Sequence, residues 1–493
     1  MSKKAIIIGS GVAGLATAIR LSVEGFAVDV YEKNNYPGGK LSAFEKEGFH
    51  FDAGPSLFTQ PQNIEELFEL AGEPIANYFK YQPIDIACTY FYSNGKVVKA
   101  FTNGDQLAKE LEEKLGESPA AVTEYLQRSK KLYDNTGRIF LNHSLHKRKT
   151  WLNKRIFKAL AATKYSYLFK SLHKYNRSQF KSAEAVQLFN RYATYNGSDP
   201  YKAPAMLSLI PHVEYNEGVY FPEGGMISIT NALYQLALAK GVQFHFNTAV
   251  QKIIYHEGSA RGIVANNENI VSDIIVSNMD AYFTYKQLLN NDDNAKKILK
   301  QERSSSALVF YWGINKEFEQ LGLHNIFFSD NYQSEFDGLF RKKTLYADPT
   351  VYVNITSSIE RSHAPAGRSN WFVMINAPAN VGQDWETVKQ EAKNNIIQKL
   401  SAQLQEDIEA LIETEEILDP IGIEEKTLSY QGSLYGTSSN SKLAAFLRHP
   451  NFTKRIRGLY FCGGTVHPGG GIPLCLKSAK IVCDLIKKEK RAH

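Results

Sequence analysis

The stretch AIIIGSGVAGLATAIRLSVEGFAVDVYEKNNYPGG, residues 5–39, decides the fold of this chain. Its apolar run at residues 5–8 predicts a β-strand, and Gly9, Gly11 and Gly14 follow in the spacing Gly-x-Gly-x-x-Gly. In such a turn the first glycine permits a tight change of direction, the second lets a pyrophosphate approach the backbone, and the third lets the next helix pack closely on the sheet. The N-terminus of that helix favours a phosphate. The pattern predicts a dinucleotide-binding unit.

The second half of the stretch supplies the acidic residue that ribose recognition requires. Apolar helix positions lead to Gly25, and residues 27–31 predict a second strand. Glu32 stands at the end of that strand, eighteen residues after Gly14, where a carboxylate accepts hydrogen bonds from the adenosine ribose hydroxyls. A glycine-rich turn in an ordinary α/β protein would explain the glycines but not the placed acid.

Further glycine-rich regions predict that the nucleotide is FAD. A glycine pair at residues 38–39 follows the acid, and FDAGP at residues 51–55 adds small residues that suit a cofactor extending into a buried ring. Near the C-terminus a strand runs into a glycine pair at residues 463–464, and PGGGIP at residues 468–473 precedes a helix. The positive end of that helix suits the electron-rich pyrimidine end of a reduced flavin.

Other segments carry a resemblance that covers nearly the whole chain. They are VYFPEGGM at residues 219–226, NMD at 278–280, NWFVM at 370–374 followed by AP at 377–378, and GTVHPGGGIP at 464–473. With these segments the chain resembles bacterial carotenoid desaturases of the phytoene-desaturase type, within the flavin amine oxidase superfamily. The family more often has alanine at the position of Gly470. Within the family the chain is most similar to hydroxycarotenoid 3,4-desaturases.

The resemblance implies the reaction. The expected activity is removal of a hydride and a proton from a CH–CH bond next to a conjugated polyene, as 3,4-desaturation of a 1-hydroxylated acyclic or monocyclic carotenoid. Such chemistry needs chiefly proximity and alignment, because the cofactor carries the electron chemistry. Only one dinucleotide fingerprint is visible, so a quinone or oxygen is the expected electron acceptor rather than a pyridine nucleotide.

The implied fold is α/β, with a Rossmann-like FAD-binding domain interleaved with a mixed α+β substrate domain. The FAD-binding domain takes residues 1–80, 218–282 and 455–493, and the substrate domain takes residues 81–217 and 283–454. Val250 would contact the adenine side through its backbone. The predicted FAD-binding residues are Gly9, Gly11, Val12, Ala13, Gly14, Glu32, Lys33, Gly38, Gly39, Lys40, Gly54, Pro55, Ser56, Val250, Met279, Gly463, Gly464, Gly471, Ile472 and Pro473.

Three alternatives remain open at this point. A phytoene or diapophytoene desaturase would perform the same chemistry on an earlier substrate. A flavin amine oxidase would usually have an aromatic pair framing the amine near the C-terminal signature, where this chain has three glycines at residues 469–471. A non-enzymatic carotenoid-binding flavoprotein would hold FAD structurally and leave it oxidised in the presence of a polyene.

Candidate catalytic side chains are few. No Ser-His-Asp or metal-ligand constellation is visible, and no metal is predicted. His467 lies beside the expected flavin and is the one candidate proton acceptor, although it could instead shape the loop. Other polar candidates, which either face the cavity or lie on the surface, are Glu214, Glu217 and His212. Apolar candidates, which either line a tunnel or belong to the core, are Trp371, Phe372 and Met374.

Composition agrees with a large two-domain protein. At 493 residues the chain exceeds the size at which single cores stop growing, and a hydrophobic content of 43% suffices for two cores and an apolar tunnel. Four cysteines without a C-x-x-C spacing suit a reducing compartment. Neither a signal peptide nor an uncharged apolar run long enough to span a membrane is visible. We therefore expect a cytoplasmic protein.

A basic segment between Asp134 and Glu184 contains no acidic residue. Aromatic residues interleave with its bases, a combination that suits a helical, membrane-facing segment on an anionic surface. A solvated basic face and a nucleic-acid patch are the alternatives, and the redox domain favours the membrane. We therefore expect peripheral association with the inner face of the membrane and no nucleic-acid partner. The bases are Arg138, Lys147, Arg148, Lys149, Lys154, Arg155, Lys158, Lys164, Lys170, Lys174, Arg177 and Lys181.

Overall fold

A computed structural model describes residues 3–147, 150, 165–441 and 448–490 of the chain. Much of the predicted basic segment, including Arg148, Lys149, Lys154, Arg155, Lys158 and Lys164, lies outside the described residues. Among the described residues, no helix combines the length and the apolar character needed to cross a membrane.

The strands, in chain order, are β1 (Lys4–Ile8), β2 (Ala27–Tyr31), β3 (Ala43–Lys46), β4 (Phe49–Asp52), β5 (Tyr81–Ile84), β6 (Ile86–Phe91), β7 (Val97–Phe101), β8 (Val219–Pro222), β9 (Gln243–His245), β10 (Val250–His256), β11 (Ser259–Ala265), β12 (Glu268–Val271), β13 (Ile274–Ser277), β14 (Ser306–Ile314), β15 (His324–Phe327), β16 (Val351–Asn354), β17 (Ser369–Ala377), β18 (Ile412–Leu418) and β19 (Leu459–Phe461).

The longer helices are α1 (Val12–Val23), α2 (Gln62–Ala71), α3 (Gly104–Leu115), α4 (Pro119–Leu132), α5 (Ala183–Asn190), α6 (Ile227–Ala239), α7 (Asp292–Leu299), α8 (Trp385–Leu404), α9 (Pro420–Thr427) and α10 (Ile472–Lys490). Shorter helices span Arg138–Asn142, Tyr165–Phe169, Leu172–Arg177, Pro211–Tyr215, Ala281–Phe283, Tyr332–Asp337 and Ile408–Leu411.

A five-stranded parallel sheet contains the predicted strand–helix–strand unit. Its order is β19-β13-β1-β2-β9, and the four neighbouring pairs run parallel. Strands from both ends of the chain therefore lie in one sheet, with β13 between the first and the last strand. Helices α1, α6 and α10 pack together through buried apolar side chains that include Leu15, Leu233 and Leu476. This packing holds the glycine turn after β1 near the N-terminus of α10.

A seven-stranded sheet, in the order β18-β14-β17-β16-β15-β6-β7, has two different faces. Successive side chains of a strand point to opposite faces of the sheet. On β14, Phe310 and Trp312 point to one face and pack in a core cluster against helix α8, with Ile396 and Leu400. The intervening Tyr311, with Val309 and Phe372, faces away from that helix into a second cluster. One face of the sheet thus closes a core, and the other is left to line a cavity.

Several predicted elements are confirmed with small shifts in their bounds. The strands predicted at residues 5–8 and 27–31 are β1 and β2. The strand predicted before the glycine pair at 463–464 is β19, and the helix predicted after PGGGIP is α10, which begins at Ile472. Where the chain divides into domains stays a prediction.

Candidate functional site

A cavity of about 1000 Å³ connects the parallel sheet to the seven-stranded sheet. Its lining includes the glycine turn after β1, the residues just after β2, the first residues of α10, and one face of the seven-stranded sheet. The turn and the start of α10 come from opposite ends of the sequence, as the glycine patterns predicted. The cavity therefore joins a polar, glycine-rich part to an apolar part.

Glycines at Gly9 and Gly11 leave the turn after β1 without side chains, and Gly14 in the first turn of α1 lets this helix pack closely on it. Gly9 has φ +93°, a left-handed conformation that glycine adopts without strain. A Cβ on Gly11 would lie 2.7 Å from Asn278 Nδ2, and a Cβ on Gly14 would lie 2.2 Å from the carbonyl oxygen of Gly9. Asn278 was not predicted as a site residue, yet it packs directly on this turn.

Glu32 is held at the end of β2 by backbone and side-chain donors. Its Oε2 accepts from the Ser10 backbone N–H at 2.8 Å and from Ser10 Oγ at 2.9 Å, while Oε1 accepts from the Asn34 N–H at 2.9 Å. The residue is 5% exposed. The carboxylate is therefore fixed in orientation beside the glycine turn, where it can accept from ribose hydroxyls.

The structure brings the predicted FAD-binding residues together around the cavity, with one exception. Gly14 does not line the cavity but packs against Gly9 beneath the turn. Lys40 lines the cavity and donates from Nζ to the Leu434 carbonyl oxygen at 2.9 Å. Burial lowers the pKa of Lys40 to about 8. The remaining predicted residues all lie on the cavity wall.

The residues present fit FAD. The glycine turn, which has no space for larger side chains, lies on the cavity wall where the pyrophosphate is expected. The Glu32 carboxylate lies on the same wall, where the ribose is expected. The N-terminus of α10, directly after Gly471, lies at the same cavity and supplies backbone N–H groups.

Beyond the glycine-rich part, the cavity wall is largely apolar. Val309 and Tyr311 of β14, Phe372 and Met374 of β17, and Ile326 of β15 line it. Phe372 and Met374 are thus tunnel residues, whereas Trp371 points the other way into the core cluster beside α8. The sequence could not tell which of these three residues face the cavity, because that depends on which face of the strand is covered by α8.

A polar group interrupts this apolar wall. Arg191, which follows α5, and Glu214, in the helix Pro211–Tyr215, form an ion pair at 3.3 Å and both line the cavity. Glu217 and His212 do not line it; Glu217 Oε1 lies 3.6 Å from His212 Nε2. Arg191 was not predicted as a site residue, although an arginine directly after the apolar helix α5 indicates a charge that could be buried.

The catalytic hypothesis for His467 is corrected by the structure. His467 is 2% exposed and is not among the residues that line the cavity. Its Nε2 donates to the His143 carbonyl oxygen at 2.9 Å. Burial lowers its pKa to about 4, so the ring is neutral near pH 7. These contacts favour the alternative interpretation, in which His467 shapes the loop before α10.

Fold and site together define an FAD-dependent oxidoreductase with a mostly apolar cavity beside the nucleotide site. Residues 12–487 match the family of flavin-containing amine oxidoreductases, and the chain belongs to that family. The chain is 49% identical to the 1-hydroxycarotenoid 3,4-desaturase of Flavobacterium sp. (strain P99-3), over 98% of this chain and 99% of the relative. It is 31% identical to the 4,4'-diapolycopene oxygenase of Methylomonas sp, over 98% of each chain.

A solved structure shows the same fold at low sequence identity. The cyclohexylamine oxidase from Brevibacterium oxydans aligns with a TM-score of 0.65 at 15% identity, covering 100% of both chains. The fold expected from the resemblance, an amine oxidase flavoprotein of mixed α/β content, is therefore confirmed.

We expect Glu32→Gln to weaken FAD binding by about 10- to 100-fold, because charge-assisted hydrogen bonds are worth about 1.5–3 kcal/mol. The new amide N–H₂ would also face N–H donors of Ser10 or Asn34. The Kd is read from the quenching of flavin fluorescence as apoprotein is added. Glu69→Gln, an exposed position of α2, is the matched control and should leave the Kd unchanged. A wild-type Kd in Glu32→Gln would contradict the assigned role.

We expect His467→Gln to keep near wild-type turnover with bound FAD, because the amide can donate to the His143 carbonyl oxygen as the ring does. The measurement is the rate of substrate-dependent flavin bleaching without oxygen. A loss of activity at full flavin occupancy would restore the catalytic hypothesis.

Proposed function

We propose that this protein is a carotenoid 3,4-desaturase that acts on 1-hydroxylated acyclic or monocyclic carotenoids. The main observation that supports this proposal is that one continuous cavity extends from the glycine turn and Glu32 to an apolar face of the seven-stranded sheet. The 49% identity to a 1-hydroxycarotenoid 3,4-desaturase supports this choice of substrate among carotenoids.

The chain's own residues position the substrate. When bound, FAD supplies the hydride acceptor. Tyr311, Phe372 and Met374 form an apolar wall that packs against a polyene and excludes water. The Tyr311 hydroxyl donates to the Ala53 carbonyl oxygen at 3.1 Å, which ties this wall to the segment that includes Gly54. Such a wall provides the alignment of a C–H bond that this reaction chiefly needs.

The proposed function is tested with FAD-loaded protein and a panel of substrates without oxygen. A 1-hydroxylated polyene should bleach the flavin and yield a product whose absorption maximum is shifted to longer wavelength by one conjugated double bond. Phytoene, diapophytoene and a primary amine complete the panel. Faster bleaching by phytoene, by diapophytoene or by the amine would favour the corresponding alternative, and a flavin that stays yellow with all four would favour a carrier.

We also propose that the protein docks on the anionic inner face of the membrane from the cytoplasm and passes electrons to a quinone or to oxygen. The described part of the basic segment supports this. Phe169 is 46% exposed, and Lys170, Lys174, Arg177 and Lys181 near it are exposed as well. An apolar ring among exposed cations suits the interface of an anionic bilayer. We also propose that the chain divides into two domains, with boundaries after residues 80, 217, 282 and 454.

Membrane docking is tested by sedimentation with vesicles. Protein in which these four cations are changed to glutamate should stay in the supernatant of vesicles containing anionic lipid, whereas the unaltered protein should pellet. Charge reversal at Lys109, Lys131, Lys252 and Lys297, which are exposed cations outside the segment, is the control. Equal pelleting of the two proteins would remove the docking proposal without touching the desaturase proposal.

A further inference from the structure

The buried ion pair in the cavity wall carries a large desolvation penalty. Arg191 Nη2 lies 3.3 Å from Glu214 Oε2, and the two side chains are 11% and 2% exposed. Removing two charges from water costs more than their mutual attraction returns unless further hydrogen bonds complete the arrangement. In a pocket that is otherwise apolar, a few such polar groups fix the orientation of a ligand.

The guanidinium of Arg191 is held in one place by aromatic rings. Its central carbon lies 4.8 Å from the ring centre of Tyr192, 5.3 Å from that of Tyr195 and 5.4 Å from that of Tyr90. These distances are in the range of cation–π attraction. The Tyr192 hydroxyl also donates to Glu214 Oε2 at 2.5 Å. Both members of the pair are therefore set in position before any ligand arrives.

A chain of neutral polar groups lies on the same wall. The Tyr352 hydroxyl is 2.7 Å from Ser56 Oγ and 2.7 Å from His324 Nδ1. Asn354 Nδ2 donates to the same His324 Nδ1 at 3.2 Å, so this ring nitrogen is an acceptor and the ring proton is on Nε2. Burial, and to a smaller extent the charge of Arg191, lower the pKa of His324 to about 3. His324 is therefore a neutral hydrogen-bond donor.

Polar atoms of this wall lack partners among the described residues. They are Arg191 Nε, the Tyr195 hydroxyl oxygen and His324 Nε2, each buried and each on a residue that lines the cavity. Buried donors in folded proteins are nearly always hydrogen-bonded. A ligand that carries an oxygen would complete this part of the wall better than a hydrocarbon would.

The substrate of the proposed function carries its hydroxyl close to the bond that reacts. In a polyene with a hydroxyl on C1, the oxygen lies about 4 Å from the C3–C4 bond, from standard bond lengths. Ser56 is a predicted flavin contact and is hydrogen-bonded to Tyr352. The chain of polar groups therefore begins at Ser56, at the end of the cavity where the flavin is predicted, and Arg191 and Glu214 line the same cavity.

We propose that Arg191 and Glu214, supported by Tyr352 and His324, form a subsite that binds the tertiary hydroxyl at the end of the polyene. Arg191 donates a hydrogen bond to the hydroxyl oxygen, and the Glu214 carboxylate accepts a hydrogen bond from the hydroxyl O–H. This inference rests on the proposed function and adds the residues that select the substrate. A polyene without the hydroxyl would leave the ion pair facing hydrocarbon, and sites of this kind reject such analogues strongly.

The test compares a 1-hydroxylated polyene with the same polyene lacking the hydroxyl. Wild-type protein should prefer the hydroxylated polyene by about 100-fold or more in kcat/KM. In the double variant Arg191→Met with Glu214→Leu the preference should fall below about tenfold, chiefly through slower reaction of the hydroxylated polyene. The apolar pair fills similar volume, and such replacements of buried ion pairs usually fold. Glu214→Gln, which nearly preserves shape, should lower the preference to an intermediate value.

Binding gives a readout that does not depend on turnover. The Kd values of the two 3,4-desaturated products, with and without the hydroxyl, are measured by quenching of protein fluorescence. Wild-type protein should bind the hydroxylated product more tightly, and the double variant should bind both alike. Arg20→Met with Glu66→Leu is the matched control, because that arginine–glutamate pair does not line the cavity. It should retain the wild-type preference.

The two proposals fail in different ways. Equal kcat/KM and equal Kd for the two polyenes in wild-type protein, or an unchanged preference in both cavity variants, would overturn the subsite while leaving desaturation intact. If neither polyene reduces the flavin, the proposed function fails, and the binding preference still decides whether the polar wall recognises a hydroxyl.

Discussion

Gly14→Ala is expected to remove FAD from the protein. The new Cβ would lie 2.2 Å from the Gly9 carbonyl oxygen and 3.1 Å from Asn278 Nδ2. Both neighbours are held in place, the first by the backbone of the turn and the second by its position beside the parallel sheet. Helix α1 must therefore move away from the turn, and the phosphate site at its N-terminus is lost. We expect FAD affinity to fall by about 100-fold or more, which is about 3 kcal/mol.

Flavin content of the purified protein, from its absorbance near the flavin maximum, gives the first measurement, and the Kd of apoprotein for added FAD gives the second. Gly322→Ala is the matched control. A Cβ there comes no closer than 4.0 Å to Thr89 Oγ1, and φ at this glycine is not left-handed. The control should purify yellow. Full flavin content in Gly14→Ala would contradict the role of this glycine in seating the helix.

Arg191→Met is expected to destabilise the protein by about 3–5 kcal/mol, because it leaves the carboxylate of Glu214 buried without its counter-ion. Glu214 is 1% exposed, so water solvates its carboxylate poorly. Adding Glu214→Leu to the same chain removes the orphaned charge, and we expect most of the lost stability to return. The free energy of unfolding is measured by denaturant titration of the FAD-loaded proteins.

A surface pair provides the comparison for this experiment. Arg361 and Glu317 lie 3.0 Å apart with side chains 72% and 48% exposed. Exposed pairs contribute little, so Arg361→Met should leave the free energy of unfolding essentially unchanged. If Arg191→Met were equally harmless, the Arg191–Glu214 pair would be hydrated rather than buried, and the subsite argument would lose its energetic basis.

The nucleotide half of the site could be read from local sequence patterns. The spacing of Gly9, Gly11 and Gly14 is set by a turn only a few residues long, and Glu32 follows from the length of one helix and one strand. The glycines before α10 mark another helix start in the same way. Each of these features depends on backbone conformation near its own residues, which sequence patterns report directly.

The substrate half could not be read in this way. Glu214 was ambiguous between cavity and surface, and Arg191 was missed, because their contact joins two elements 23 residues apart. Phe372 and Trp371 are chemically similar neighbours, and only the packing of α8 on one face of the sheet sends the first into the cavity and the second into the core. The two interpretations of His467, proton acceptor or loop residue, could not be separated, because position in sequence does not give side-chain direction.

By itself, the sequence determined the cofactor site, the order of the elements that build it, and the likeness to carotenoid desaturases. These depend on short-range backbone geometry and on motifs within single turns. Only the tertiary structure decided which face of the seven-stranded sheet meets the cavity and which buried charges stand on its wall. That outcome depends on packing between segments far apart in the chain, since burial of one face determines what the other face can bind.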